Sequence, residues 1–442
     1  MQRTVTFEVL GLDAVLLRAV QRLGYASPTP VQAEAIPAIL AGRDVIGSAV
    51  TGSGKTAAFL LPILQRLTRK PARGTRVLIV APTRELASQT DSMLSDLARG
   101  TGIKGKAVYG GVGMQPQERA LRERVDVIVA TPGRLLDHLR RGHVDFRDVQ
   151  VLVLDEADRM LDMGFLPDVQ QIIRTLPKQR QTLLFSATIP PEVERLARHI
   201  MRDPLRITVG RQDQPPETIR HTVYPVPKHL KTPLLDILLR REEKKSVLVF
   251  TKTRRGADRL ARHLDHAGFK TGRIHGDRSQ AQREAALAGF RAGSQQILVA
   301  TDVAARGLDI YGITHIVNYD VPPVARDYIH RVGRTARLEA TGEAITLMDP
   351  SERRDLEGIQ RELGFDFARE KIPGFDYNSP RPAPRTRERE RIRETPPFKA
   401  TRWGEPRPAR EGGYDRRSGR RGSRWGLRRW RRGIIRTQGG NR

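Results

Sequence analysis

The chain has 442 residues, 38% of them hydrophobic and 5% aromatic, which suits two α/β domains with aliphatic cores and a remainder. It contains no cysteine, so disulfides and thiolate metal sites are excluded, and it has no apolar run near the roughly 18 residues of a membrane span. A net charge of +28 and a pI near 11.1 favour polyanionic partners over membranes or neutral small molecules.

In chain order, residues 1–13 lack the basic and apolar regions of a secretion signal, which together with the missing cysteines leads us to expect a cytoplasmic protein. Short, nearly all-apolar runs follow, at Arg76–Ala81, Val125–Ala130, Val149–Leu154 and Thr182–Phe185, separated by helical patterns. Strands buried on both faces read this way, and their alternation with helices implies a parallel sheet. The polar, proline-bearing stretch Gly210–Thr218 reads as a hinge. A second series occupies Ser246–Thr251, Gln296–Ala300, His315–Tyr319 and Glu343–Leu347. The organisation expected is therefore an N-terminal domain over 1–210, a linker over 211–220, a C-terminal domain over 221–373 and a tail over 374–442. Functional turns belong at the carboxyl ends of the strands.

The tail is compositionally different. Residues 379–442 hold 21 basic and 6 acidic residues, and all three tryptophans of the chain, Trp403, Trp425 and Trp430. Such a segment is too poor in apolar residues to offset the entropy of folding, so it reads as disordered. Its arginines and free indole faces suit phosphate binding and base stacking better than an inert spacer role. Anionic membrane surfaces and RNA-rich particles remain open as alternative targets for the charge.

Two motifs carry chemistry. Ala49–Thr56 (AVTGSGKT) follows an apolar stretch and precedes a helical one, which is the setting of a phosphate-binding loop. Gly52 and Gly54 let backbone amides curl around phosphates, with Thr51 and Ser53 between and before them, and the helix N-terminus favours negative charge. Lys55 can reach the terminal phosphates and the Thr56 hydroxyl can ligate Mg²⁺, although Ala49 replaces the usual first glycine. Downstream, Asp155-Glu156-Ala157-Asp158 closes an apolar run. A strand-end carboxylate such as Asp155 can hold Mg²⁺, and Glu156 can orient or deprotonate water. Acidic residues there can also be a plain polar cap, and it is the doublet together with the upstream loop that favours catalysis.

With these motifs in view, the chain resembles the DEAD-box branch of superfamily 2 helicases over roughly residues 5–350. Phe7 and Gly24–Gln32 (GYASPTPVQ) resemble the Q motif, which implies that Gln32 reads adenine and that Phe7 packs near the base. Pro82–Leu86, with Arg84, the pair Gly110-Gly111, and Thr131–Arg134 are similar to the family's RNA-facing motifs. Ser186-Ala187-Thr188 resembles the motif that couples hydrolysis to strand separation. In the second half Thr251, the pair Gln280 and Arg283, and the segment from Thr301 to Asp309 match further motifs. The resemblance implies RNA contacts at Thr251, Arg283 and Thr301, and a ribose contact at Asp309. Tyr328–Arg337 resembles the last motif, which implies that Arg334 and Arg337 are arginine fingers and that His330 approaches the acidic motif on closure. Ala336 and Leu338-Glu339 depart from the common pattern beside these arginines. Arg159–Phe165 and Ala340–Ala344 look most like the bacterial RhlE-type group.

The resemblance implies two tandem RecA-like domains, a parallel sheet in each, that use ATP and Mg²⁺ to unwind RNA locally. Partners would be single-stranded and short duplex RNA with little sequence preference. Ribosomal precursors and RNA-degradation machinery are open partner readings, and no membrane role is expected. Two rival classes share these motifs: an ATP-gated RNA clamp, and a DNA translocase of the same superfamily.

Overall fold

The computed structural model describes residues 5–380, apart from 51, 71, 73, 124, 211–214, 216–217, 242–245, 306–311 and 336–340. The arginine-rich tail beyond residue 380 lies outside the described residues.

The first lobe is built on β1 (Val45–Ala49), β2 (Val77–Val80), β3 (Gly105–Val108), β4 (Val127–Ala130), β5 (Val151–Asp155), β6 (Gln181–Ser186) and β7 (Leu205–Val209). They form one parallel sheet in the order β3-β4-β2-β5-β6-β1-β7. The second lobe repeats the plan with β8 (Ile219–Pro225), β9 (Val247–Phe250), β10 (Thr271–Ile274), β11 (Ile297–Ala300), β12 (His315–Asn318), β13 (Gly342–Met348) and β14 (Ala368–Arg369). Their order is β10-β11-β9-β12-β13-β8-β14, again parallel.

Register explains why the inner strands are almost wholly apolar. Ile79 sits beside Val129 and Val153, and Val153 beside Leu183, so this row feeds the core on one face. One residue earlier, Leu78 sits beside Ile128 and Leu152 and feeds the core on the other face. Both faces are covered by helices, and each position therefore meets apolar neighbours. The second lobe divides Leu248 and Val249 between two cores in the same way.

Two boundaries differ from the sequence expectation. Ile219 is buried and already paired with Gly342 in β8, so the last two residues of the expected linker belong to the second lobe's sheet. Nor does that lobe end at residue 373. Phe375 and Tyr377 pack on its core and meet edge-on with ring centres 4.9 Å apart. The Tyr377 hydroxyl accepts a hydrogen bond from the Ile372 amide at 2.8 Å, and a His229 ring nitrogen lies 2.8 Å from the Ser379 carbonyl. Two aromatic rings amid polar residues are enough to seat this short segment. No helix among the described residues is long and apolar enough to cross a membrane.

Candidate active site

The strand order sorts the expected motifs into two groups at the carboxyl edge of the first sheet. Adjacent strands β5, β6 and β1 lead into Glu156, the Ser186–Thr188 turn and the phosphate loop. Adjacent strands β3, β4 and β2 lead into Gly111, Thr131 and Arg84. One half of the edge thus gathers the residues expected to handle nucleotide and the other half those expected to face RNA.

The phosphate loop turns sharply between β1 and the helix Lys55–Arg69, with Gly52 and Gly54 at φ 88° and 87°. A side chain at Gly54 would be strained and would also overlap the Gln32 amide. Gln32 is buried: its Nε2 donates to the Gly54 carbonyl at 3.1 Å and its Oε1 accepts from the Thr29 amide at 3.0 Å. The Lys55 ammonium donates to the carbonyls of Ala49 and, at 3.3 Å, Val50. The Ser53 hydroxyl is buried with no hydrogen-bond partner among the described residues and is left open to a ligand oxygen. Thr56, half-buried, follows on the first helical turn.

Asp155 ends β5 almost fully buried, and burial followed by the adjacent Glu156 charge pushes its carboxyl up to about 7, against the pull of Lys55. Burial lowers Lys55 in turn, opposed by Glu156 and Asp155. A cation at the Asp155 carboxylate would relieve this tension, and the Thr56 hydroxyl lining the same cavity could complete a hard oxygen set of the kind Mg²⁺ takes. Glu156 holds a left-handed backbone, φ 53° and ψ 51°, rare for a residue with a side chain. Its Oε2 accepts from Arg159 at 2.5 Å.

Asp158 is the most connected group in the motif. Its Oδ2 accepts from the Thr188 amide at 2.9 Å and the Thr188 hydroxyl at 3.0 Å, while its own amide donates to the Ser186 hydroxyl at 3.1 Å. The expected coupling residues therefore grip the acidic motif directly. Although burial works to raise it, the charges of His330, Arg326 and Arg159 hold the Asp158 carboxyl down at about 2.

From the second lobe, Arg334 enters the same cavity of about 350 Å³ that Gln32, Lys55, Thr56, Asp155 and Glu156 line. Its Nε donates to the His330 carbonyl at 3.3 Å. The helix that bears His330 and leads into Arg334, Ala325–Val332, is anchored by Arg331, whose fork meets Asp302 at 2.5 and 2.8 Å and whose Nη1 reaches Asn318 at 3.0 Å. Burial and the neighbouring Arg159 hold His330 well below its ordinary pKa, with Asp158 opposing. Thr51, Asp309 and Arg337 lie outside the described residues.

Phe7, expected near the base, is 3% exposed and belongs to the first lobe's core. The aromatic ring that lines the cavity is Tyr25, inside the recognised motif but not singled out there. The short helix Phe7–Leu10 buries Phe7 and Leu10 on one side, and an apolar residue at that spacing is drawn to the core.

Among the RNA-facing residues, the Arg84 guanidinium lies against Gly110 and Gly111, and a Cβ on Gly111, at φ 83°, would overlap it. Arg134 donates to the Val112 carbonyl at 3.1 Å, and Thr131 stands buried at the end of β4. Thr251 and Thr301 follow the neighbouring strands β9 and β11 and are both buried. Arg283, expected to contact RNA, has its Nη2 2.8 Å from Glu85 of the first lobe, an ion pair between lobes. A second cross-lobe contact was also illegible in the sequence. Arg326 reaches Asp158 at 3.3 Å and Asp162 at 3.1 Å. Arg159 and Glu85 fall inside quoted motif segments but were not singled out there, because their importance lies in tertiary partners.

Comparison with known proteins agrees with this geometry. The DEAD/DEAH box helicase domain matches residues 29–196 and the helicase conserved C-terminal domain matches residues 230–339. The chain is 42% identical over 371 residues to the DEAD-box ATP-dependent RNA helicase CshA of Geobacillus kaustophilus, which covers 84% of this chain and 79% of that protein. It is 44% identical over 374 residues to DEAD-box ATP-dependent RNA helicase 28 of Arabidopsis thaliana; that match covers 83% of this chain but 47% of the plant protein, so the chain spans about half of that relative's length. The structure of Dbp5 from S. cerevisiae bound to RNA and ADP BeF3 superposes with a TM-score of 0.76 at 30% identity, over 83% of this chain and 95% of that one. With two parallel-sheet lobes, a phosphate loop facing a Glu156–Asp158 motif, and these relatives at more than 40% identity, the chain belongs to the DEAD-box family of ATP-dependent RNA helicases.

Proposed function

We propose that this chain hydrolyses ATP in response to RNA and uses the cycle to unwind or remodel short RNA duplexes and RNA–protein complexes. The observation that carries this reading is Arg334 of the second lobe standing in one cavity with Lys55, Asp155 and Glu156 of the first. Neither lobe has a complete site, so turnover requires closure, and an arginine brought to the γ-phosphate contributes roughly 10³ to 10⁵ in rate.

In this reading the phosphate-loop amides of 52–54 and Lys55 hold the phosphates, Gln32 reads the adenine edge, and Glu156 orients the attacking water. Thr56 and Asp155 would hold Mg²⁺, which neutralises charge on the phosphate oxygens. Arg334, joined by Arg337, bridges the transferring group with a fork that stays charged. Asp309 takes the ribose. Arg84, Gly111, Thr131, Arg134, Thr251 and Thr301 contact the RNA backbone, which gives little sequence preference. Arg283 serves closure through Glu85 first and RNA second. Ser186 and Thr188 carry the state of the acidic motif to the RNA side, and His330 joins that motif across the lobes.

The tail beyond residue 380 tethers RNA and raises its local concentration. Within the family, the segments 159–165 and 340–344 support placement near the RhlE-type group, with ribosomal precursors or degradation substrates as the RNA and the cytoplasm as its place.

The test is steady-state ATP hydrolysis with and without single-stranded RNA, for the native chain and Glu156→Gln. Strong RNA stimulation that vanishes in the variant is the expected result. Equal hydrolysis by both proteins would overturn the assignment. Duplex release by the active protein separates unwinding from clamping.

A further inference from the structure

Arg159 is 1% exposed, among the largest fully buried side chains of the molecule, and it sits one turn beyond the acidic doublet. A buried guanidinium is costly unless its charge is used, and the neighbouring buried positions Ala157 and Met160 show that this wall accepts apolar residues. Its Nη1 donates to Glu156 Oε2 at 2.5 Å, while its Nη2, also buried, has no hydrogen-bond partner among the described residues. Its amide donates to Asp158 Oδ1 at 3.0 Å, and that tie fixes the turn from which the side chain reaches back. Glu156 is held in a left-handed backbone conformation, and Arg159 is the one side chain that grips its carboxylate among the described residues.

We propose that Arg159 is a positioning residue for hydrolysis: it clamps one oxygen of the Glu156 carboxylate so that the other points at the water it must orient. The inference rests on the reading of Glu156 as the water-orienting group. The clamp acts by geometry. A carboxylate with free rotation about its terminal torsion spreads over many orientations, and a misplacement of about 1 Å in such a group can cost on the order of 10²-fold in rate. A buried ion pair fixed from a backbone-anchored turn restricts it to one.

Three full-length variants test this: Arg159→Gln, Arg159→Leu and Arg159→Lys, each compared with the native chain and with Glu156→Gln. The readouts are kcat at saturating RNA, KM for ATP, affinity for a fluorescent ATP analogue, and melting temperature. The expected result is a fall in kcat of roughly 10- to 100-fold for Gln and Leu. Nucleotide affinity and the RNA concentration for half-stimulation should stay within about threefold, since neither contact is touched. Lysine, which can still place one charged donor on Oε2, should recover most of the rate. Combining Arg159→Gln with Glu156→Gln should add no further loss in single-turnover hydrolysis. Native-like kcat in the Gln and Leu variants overturns the proposal, as does a loss additive with Glu156→Gln. So does a fall in nucleotide affinity and melting temperature that tracks kcat through all three variants, which makes Arg159 a structural residue. Full hydrolysis by Glu156→Gln alone would instead sink the underlying assignment.

Discussion

Replacing Arg326 by glutamine should weaken closure of the two lobes without touching the chemistry. Arg326 rides on the same second-lobe helix as His330, and its guanidinium reaches Asp162 Oδ1 at 3.1 Å and Asp158 Oδ2 at 3.3 Å in the first lobe. Two unit charges about 4 Å apart interact by about 4 kcal/mol at an effective dielectric of about 20. Most of that is returned in desolvation and in ordering a long side chain, and fully exposed pairs retain about 0.2 to 1 kcal/mol. Here the arginine is 26% exposed and Asp162 23%, and one cation meets two carboxylates, so a net of about 1 to 1.5 kcal/mol is the reasonable figure. That corresponds to roughly a 5- to 13-fold shift in the ratio of closed to open forms. RNA titrations of ATPase activity should show the half-stimulating RNA concentration rising by about that factor, with kcat at saturation nearly unchanged. Dyes placed on the two lobes should report fewer closed molecules at subsaturating RNA. In a double-mutant cycle with Asp162→Asn, the second substitution should cost less once the first is made. An unchanged half-stimulating concentration, or strict additivity with Asp162→Asn, would refute the clasp.

Gly111→Ala should destabilise the chain by about 1 to 2 kcal/mol, because its Cβ must enter a left-handed conformation and overlap the Arg84 guanidinium. RNA half-stimulation should rise tenfold or more while nucleotide affinity stays native, on the order expected for losing one charged backbone contact. His221 stacks on Phe367 and its Nδ1 lies 2.7 Å from the Tyr328 hydroxyl; burial lowers its pKa to about 4. The unfolded chain binds that proton below about pH 6.5 while the folded chain does not until about 4, so stability falls as the pH drops through this window. Urea unfolding at pH 7.5 and 4.5 should show native protein losing roughly 2 to 3 kcal/mol more than His221→Phe; equal losses would assign the acid sensitivity elsewhere. Deleting residues 381–442 should raise the RNA needed for half-stimulation and leave saturated turnover similar. A large fall in turnover at saturating RNA would remove the tether role.

The strands that could be read from sequence are those whose two faces are both covered. All eight expected runs lie inside the sheets, in β2, β4, β5 and β6 and in β9, β11, β12 and β13. The edge strands β3, β7 and β10 mix buried with half-exposed or exposed positions, and Gly105-Lys106 or Leu205-Arg206 carries no apolar run to notice. Site residues were legible where backbone chemistry dictates them: Gly52 and Gly54 in the turn, Lys55 on the first helical turn, and Asp155 and Glu156 at a strand end. The burial of Phe7 was not legible, because closeness in sequence to a binding motif says nothing about which side of a short helix meets the core. Arg159, Arg326 and the Arg283–Glu85 pair could not be found from one sequence, since an arginine becomes exceptional only through what it is buried against.

The acidic motif shows what this tertiary setting adds. Asp155 and Asp158 lie three residues apart, yet burial beside Glu156 pushes the first up to about 7 while His330, Arg326 and Arg159 around it hold the second at about 2. Burial beside a like charge therefore makes the Asp155 carboxylate the one that a nearby cation stabilises most. Asp158 stays ionised at any working pH, so its bonds to Thr188 and Arg326 change only when the groups around it move. A charge sensor and a mechanical link need opposite tuning. If Ser186 and Thr188 carry the coupling proposed for them, placing the two on one short turn would let an electrostatic event at the phosphates become a geometric one at that segment and at the closing lobe.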